Sequence, residues 1–298
     1  MKKQKLRFLP AALLILLPVL PIWAQKTSPK PIIFAVTDDG QRIEPIAGVN
    51  DGKLIETVDG GAEDSLLKTF GETYYKPKTN YRLIFGGAEA GTVTIKSFDT
   101  TSECGKNMAE VTFNSAKAKL KGSVMALATN VESKGSGLRR MPTAAERSEL
   151  EKLVRAEFTK QKISAKVLKT LRYQNLTALD VDNDKNVEFV GSYWVAPSAT
   201  TRALLFFIAE KNKNGKYVLA QSKYNLTRQA DVMSKNMKDV DDGIYHELLL
   251  DALDFDGDGV SEIFTIGSGF EGVSFYVYGR EAGKWKMIFE GGNYHCAY

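Results

Sequence analysis

Two short stretches, LDVDNDKNVEF at 179–189 and LDFDGDGVSEIF at 253–264, set acids at alternate positions of a tight turn, and the pattern recurs at a separation of 74 residues (180 to 254). Asp180, Asp182, Asp184 and Glu188 in the first, like Asp254, Asp256, Asp258 and Glu262 in the second, can turn their oxygens toward one point. Asn186 and Val260 fall at the seventh position of each loop, where a backbone carbonyl joins such a set. A hard dication such as Ca²⁺ gathers about six to eight oxygens at one centre. Without it, three neighbouring carboxylates repel one another. The plainer alternative is an Asp-rich surface turn that holds no ion. It has more force at 180–188, where Lys185 stands in place of the glycine that the second loop has at Gly259.

Both loops begin as an EF-hand does, with acids at positions 1, 3 and 5, but position 12, where that motif needs a bidentate Glu, is Gly191 in one copy and Thr265 in the other. The last acid falls at position 9 instead. From that acid onward, the segments Glu188-Phe-Val-Gly-Ser-Tyr-Trp-Val195 and Glu262-Ile-Phe-Thr-Ile266 are rich in β-branched and aromatic residues, and each predicts a strand. This arrangement, D-x-D-x-D-G-x-x-E running into a strand, resembles the FG-GAP and VCBS repeats of extracellular proteins, the repeat type of integrin α-subunit propellers. The resemblance covers the second half of the chain and implies Ca²⁺ as the cofactor.

The duplication extends beyond the loops. Leu204-Leu-Phe-Phe-Ile208 with Lys213-Asn-Gly-Lys-Tyr217 after it lines up with Val273-Ser-Phe-Tyr-Val277 and Glu281-Ala-Gly-Lys-Trp285. Each reads as a hairpin, with Gly215 and Gly283 at the turn, where a positive φ is least costly. Two units of acidic loop, strand, hairpin and strand, each about 40 residues, match the size of a propeller blade.

The first 24 residues read as a secretory signal peptide. Lys2, Lys3, Lys5 and Arg7 precede an apolar run, Phe8 to Ile22, broken by Pro10, Pro18 and Pro21. The run is shorter than the roughly 20 residues of a membrane span and is kinked by its prolines. Those four basic residues account for the whole formal charge of +4, so the rest of the chain is balanced, and no basic face points to nucleic acid. The expected location is secreted or periplasmic, with no membrane span after cleavage.

Residues 26–131 read as an N-terminal β region, with strands such as Ile32–Val36, Tyr81–Phe85 and Thr92–Ile95. Residues 132–163 read as a loose Gly/Ser linker and then an amphipathic helix with a capping box, Thr143 and Glu146, and a stripe of Leu150, Leu153, Val154 and Phe158. Residues 164–298 hold the two repeats. The expected fold is mainly β, a propeller-like assembly of antiparallel repeats with one helix; the alternative is two β domains joined through the linker and helix. Cys104 and Cys296, an even count in an exported chain, are a candidate disulfide that would latch such a ring, and two separate thiols are the alternative.

The chain has two histidines, His246 and His295, and lacks HExxH, CxxC, G-x-S-x-G and P-loop motifs. His295 beside Cys296 invites a Cys–His reading, although neighbours in sequence seldom have that geometry. The expected function is therefore a Ca²⁺-stabilised binding or structural module whose partner is an unknown protein or carbohydrate. The alternative is an exported hydrolase, carbohydrate-active, with its site in the N-terminal half.

Overall fold

An apolar run without a break, such as Ile32-Ile-Phe-Ala-Val36, leaves no strand face for water. In the structure, a computed structural model that describes residues 29–99 and 101–296, β1 (Ile32–Thr37) sends Ile32, Phe34 and Val36 into one core and Ile33 and Ala35 into another. The predicted signal segment, 1–24, lies outside the described residues.

The first core is the inside of a barrel. Strands β1, β2 (Arg42–Asn50), β4 (Asn80–Phe85), β5 (Ala88–Phe98), β6 (Ala109–Asn114) and β7 (Ala126–Thr129) pair antiparallel in the closed order β1-β7-β4-β5-β6-β2-β1, with β3 (Lys53–Ile55) extending the end of β2. Closure leaves these strands without a free edge. Apolar side chains including Phe34, Leu83, Val93 and Val111 fill the interior. Helix α1 (Asp64–Tyr74), within a region that reads as β throughout, adds Phe70 to this core. Its Gly71 masks it in the sequence, since glycine weakens helices; the residue is needed there because a Cβ would lie 1.9 Å from the Phe98 ring.

The second half forms two sheets. Strands β9 (Arg172–Leu179), β10 (Glu188–Ser198), β11 (Thr201–Lys211) and β12 (Tyr217–Arg228) make one meander, with the two-residue β8 (Arg139–Arg140) beside β9. Strands β13 (Glu247–Leu253), β14 (Glu262–Ser268), β15 (Gly272–Glu281) and β16 (Lys284–Tyr294) make the other. Both hairpins turn at the expected glycines, Gly215 at φ 71° and Gly283 at φ 74°.

The parts stack in layers. Leu250, Phe264 and Phe275 of the second meander pack on the outer face of the barrel, against Ile33, Ala35 and Leu127. Its opposite face, through Leu249, Ile263, Tyr278 and Trp285, meets Leu179, Val190, Phe206 and Ile208 of the first meander. Helix α2 (Ala144–Lys160) then covers the outer face of the first meander with Leu150, Val154 and Phe158. Its capping box forms as the sequence predicts, Glu146 N donating to Thr143 Oγ1 at 3.3 Å and Thr143 N to Glu146 Oε2 at 2.7 Å. Two short helices, α3 (Ala165–Leu168) and α4 (Met237–Asp241), complete the α-helices among the described residues. The molecule is mainly β, and the expected ring of blades takes another form here, because the N-terminal strands close on themselves as a barrel.

The stretch 132–140 is not loose. Gly137 N donates to Gly86 O at 2.9 Å, Ser136 Oγ donates to Asp180 O at 2.9 Å, and a Cβ on Gly135 would sit 2.2 Å from Gly87 O. Its glycines allow two backbones to cross closely rather than supplying freedom. Cys104 and Cys296 form a disulfide with Cα atoms 5.1 Å apart, joining the β5–β6 connection of the barrel to the chain beyond β16. Among the described residues no helix is long and apolar enough to cross a membrane.

Candidate metal centre

The two acidic loops occupy equivalent places in the two meanders. Each joins the first strand to the second with the same closing register, Leu179 opposite Glu188 and Leu253 opposite Glu262. Backbone shape repeats as well. Positions 4 and 6 carry positive φ in both copies, at Asn183 (58°) and Lys185 (70°) in the first and at Gly257 (81°) and Gly259 (93°) in the second. The first loop thus holds side-chain-bearing residues where the second relaxes with glycine, a difference that favours the second loop as the less strained frame.

Internal hydrogen bonds share one plan. The buried Glu at position 9 accepts from the amide of position 2, Val181 N to Glu188 Oε2 at 3.3 Å and Phe255 N to Glu262 Oε2 at 3.5 Å. The Asp at position 5 accepts from the amide of position 7, Asn186 N to Asp184 at 2.7 Å and Val260 N to Asp258 at 2.8 Å. Asn186 also donates its side-chain Nδ2 to Asp184 Oδ2 at 2.9 Å. The loops are neighbours, with Ser261 N donating to Val181 O at 2.7 Å.

Carboxylate oxygens of Asp180, Asp182 and Asp184 lie within 4.8 Å of one another, and so do those of Asp254, Asp256 and Glu262. Glu188 stands outside the first group, and unlike Glu262 it has a cation beside it, Arg280 Nη2 3.3 Å from its Oε1. Asp258, whose carboxylate accepts from Val260 N, stands outside the second. Two oxygens in the first loop, Oδ1 of Asp180 and Oδ1 of Asp182, are buried and have no hydrogen-bond partner, and Asp180 is only 7% exposed. Buried acceptors without donors are costly. An oxygen-seeking cation fits this donor set.

Burial pushes the Glu262 carboxyl up to about 8, with the charge of Asp256 adding to the rise. It pushes Glu188 up to about 7, where Asp182 raises it further and Arg280 opposes. Burial also raises Asp180 and Asp256, whereas the hydrogen bonds from Asn186 lower Asp184. A carboxyl raised in the folded state favours the fold while protonated. That contribution is complete below the unfolded value near 4.5 and is lost as pH rises through about 7 and about 8, so without an ion the loops weaken the fold at neutral pH.

Arg280, at the end of β15, carries no signal in the sequence, yet its Nη1 lies 2.6 Å from Asp182 Oδ2. Neither histidine makes a Cys–His pair: His295 Nε2 lies 2.8 Å from Glu44 Oε2 beside the disulfide, and His246 is buried with Nε2 2.9 Å from Val240 O. Among the described residues the barrel interior is packed with apolar side chains. A cleft of ≈ 520 Å³ at the seam of barrel and second meander is lined by Glu56, Asp59 and Glu271, and Asp59 is committed to the amides of Gly61 (2.7 Å) and Tyr294 (2.8 Å). A second cleft of ≈ 450 Å³ between the meanders, lined by Lys223, Tyr224, Glu247 and Tyr276, lies at the strand ends remote from the acidic loops. No known family model, curated protein or solved structure matches the chain.

Proposed function

We propose that this is an exported, secreted or periplasmic, binding or structural module whose paired acidic loops take Ca²⁺ to stiffen the junction of two β repeats. The observation that carries the reading is the pair of loops with one backbone plan, converging carboxylates and, in the first, two buried oxygens without donors. Asp180, Asp182 and Asp184 would hold one ion and Asp254, Asp256 and Glu262 another, supplying hard oxygen ligands. The resemblance to FG-GAP and VCBS repeats gains support from the layout, since each repeat is an antiparallel meander with its acidic loop between the first two strands. The disulfide and the signal-like first segment support export. The cleft between the meanders, remote from the loops, gives a protein or carbohydrate partner a place where the ion would act on the frame and not on the ligand.

Calorimetry on the chain from Gln25 tests this. Two Ca²⁺ sites of unequal affinity are expected, the tighter at 254–262, where Gly257 and Gly259 take the positive φ angles. Affinity should rise with pH through about 7 and about 8, because Glu188 and Glu262 must lose their protons for a cation to approach, and binding in two buffers should report proton release. No heat at about millimolar Ca²⁺ would remove the reading.

The ion's role as a clamp gives a second expectation. Asp256→Ala should lower stability by about 2.7 kcal/mol when Ca²⁺ stands at about 100 times its Kd, and should change little in chelator, because a ligand stabilises only the state that binds it. Equal melting of variant and unmodified protein in saturating Ca²⁺ would show that the loop is not linked to folding.

A further inference from the structure

We infer that Arg280 is the resident counter-ion of the first acidic loop, so that Ca²⁺ enters 180–188 only by displacing a guanidinium. This rests on the proposal that the loops take Ca²⁺. Arg280 reaches across from the second repeat and places Nη1 2.6 Å from Asp182 Oδ2 and Nη2 3.3 Å from Glu188 Oε1, the acids at positions 3 and 9 of the loop. Of these two, Asp182 belongs to the group that would hold the ion. Among the described residues no basic side chain pairs with Asp254, Asp256, Asp258 or Glu262 in this way, so the two loops differ in electrostatic surroundings although they share a backbone plan.

The arginine's position is built from several strands. Its Nη2 also lies 2.8 Å from Oε2 of Glu210 on β11, its guanidinium sits 5.0 Å from the Trp285 ring centroid on β16, and the Trp285 indole donates to the same Glu210 oxygen at 2.9 Å. Planar forks held by carboxylates and an aromatic face are a setting in which Arg is strongly preferred. The neutralisation is incomplete, since Oδ1 of Asp182 and Oδ1 of Asp180 stay buried without donors. A dication that took those oxygens would repel the guanidinium a few ångströms away. Glu210 and Trp285 then provide the place to which Arg280 withdraws. Filling the first loop thus exchanges the Arg280–Asp182 contact for the ion, while the Arg280–Glu210 pair, which also joins the two repeats, stays in place.

The test is Ca²⁺ titration by calorimetry of the exported chain carrying Glu262→Gln, which silences the second loop, with and without Arg280→Gln. The remaining weak site should tighten about 5- to 100-fold when Arg280 is replaced, and Arg280→Lys, which keeps the charge and loses the fork, should fall between. In the unmodified protein the Trp285 indole N–H resonance should shift at the ion concentration that fills the weak site and not at the one that fills the strong site. That measurement decides the matter if Arg280→Gln does not fold. A remaining site that ignores Arg280→Gln, or an indole signal indifferent to the weak site, would overturn this inference alone. No Ca²⁺ heat in either the unmodified chain or the variant would overturn it together with the Ca²⁺ reading.

Discussion

Asp251→Ala is expected to destabilise the protein by about 3–5 kcal/mol, the range seen when one partner of a buried ion pair is removed. The Asp251 side chain is 0% exposed and that of Arg139 4%, with Nη1 and Oδ2 2.6 Å apart. Asp251 also accepts from Gly86 N at 3.0 Å, Gly87 N at 2.9 Å and its neighbour Ala252 N at 2.7 Å. Arg139 donates further to Met125 O and Leu250 O and lies 4.5 Å from the Phe85 ring centroid. One carboxylate therefore ties the β4–β5 turn of the barrel, the edge strand β8 and the second meander together. Its removal strands a guanidinium in a region that water does not reach. Replacing both partners by apolar residues of similar volume should cost less than Asp251→Ala, because no lone charge remains, while the Gly86 and Gly87 amides lose their acceptor in both variants. Urea unfolding of the two variants provides the check, and a loss below about 1 kcal/mol for Asp251→Ala would show that the pair holds nothing together.

Opening the disulfide should have an effect of similar size. The bridge closes a loop with a sequence separation of 192, for which chain entropy sets an upper limit of about 5 kcal/mol. The fold should survive the loss, because the segment before Cys296 is docked by other bonds as well. Asn293 Nδ2 donates to Glu44 at 2.9 Å, Gly60 N donates to Asn293 Oδ1 at 2.9 Å, and Tyr294 N donates to Asp59 at 2.8 Å. Cys104→Ser with Cys296→Ser should therefore keep the fold and lower its unfolding midpoint, with the C-terminal strand exchanging amide hydrogens faster than the rest. Non-reducing peptide mapping of exported protein should show the single 104–296 crosslink. Both thiols alkylated in the native protein, or a double variant as stable as the parent, would contradict the latch.

The parts of this architecture that are legible in the sequence are those with local causes. Alternation and β-branched runs mark the strands after each acidic loop, Gly215 and Gly283 mark the hairpin turns, and Thr143 with Glu146 marks the start of α2. The carboxylates of the candidate site belong to the same class, since alternate acids on a turn are visible without any long-range contact. Local cues mislead where a distant segment sets the residue type. Gly71 inside α1 and Gly135 of 132–140 have the composition of a break and a linker, whereas each is small because another chain segment presses against it, and Gly137 takes a positive φ of 74°.

The sequence by itself determined the repeated acidic loops, the two meanders that carry them and the even pair of cysteines, because spacing, turn chemistry and strand periodicity act over a few residues. Only the tertiary structure decided that the N-terminal strands close as a barrel, that both meanders are buried on two faces, and that Arg139 and Arg280 are the cations held by Asp251 and Asp182. Arg280 and Asp182 are 98 residues apart, and although the acidic pattern marks Asp182, nothing near Arg280 distinguishes it from any other charged residue at a strand end. Their pairing arises from the stacking of one sheet on another, which brings the end of β15 over the neighbouring loop. A charge without a local pattern acquires its meaning only when burial removes water and leaves few partners within reach.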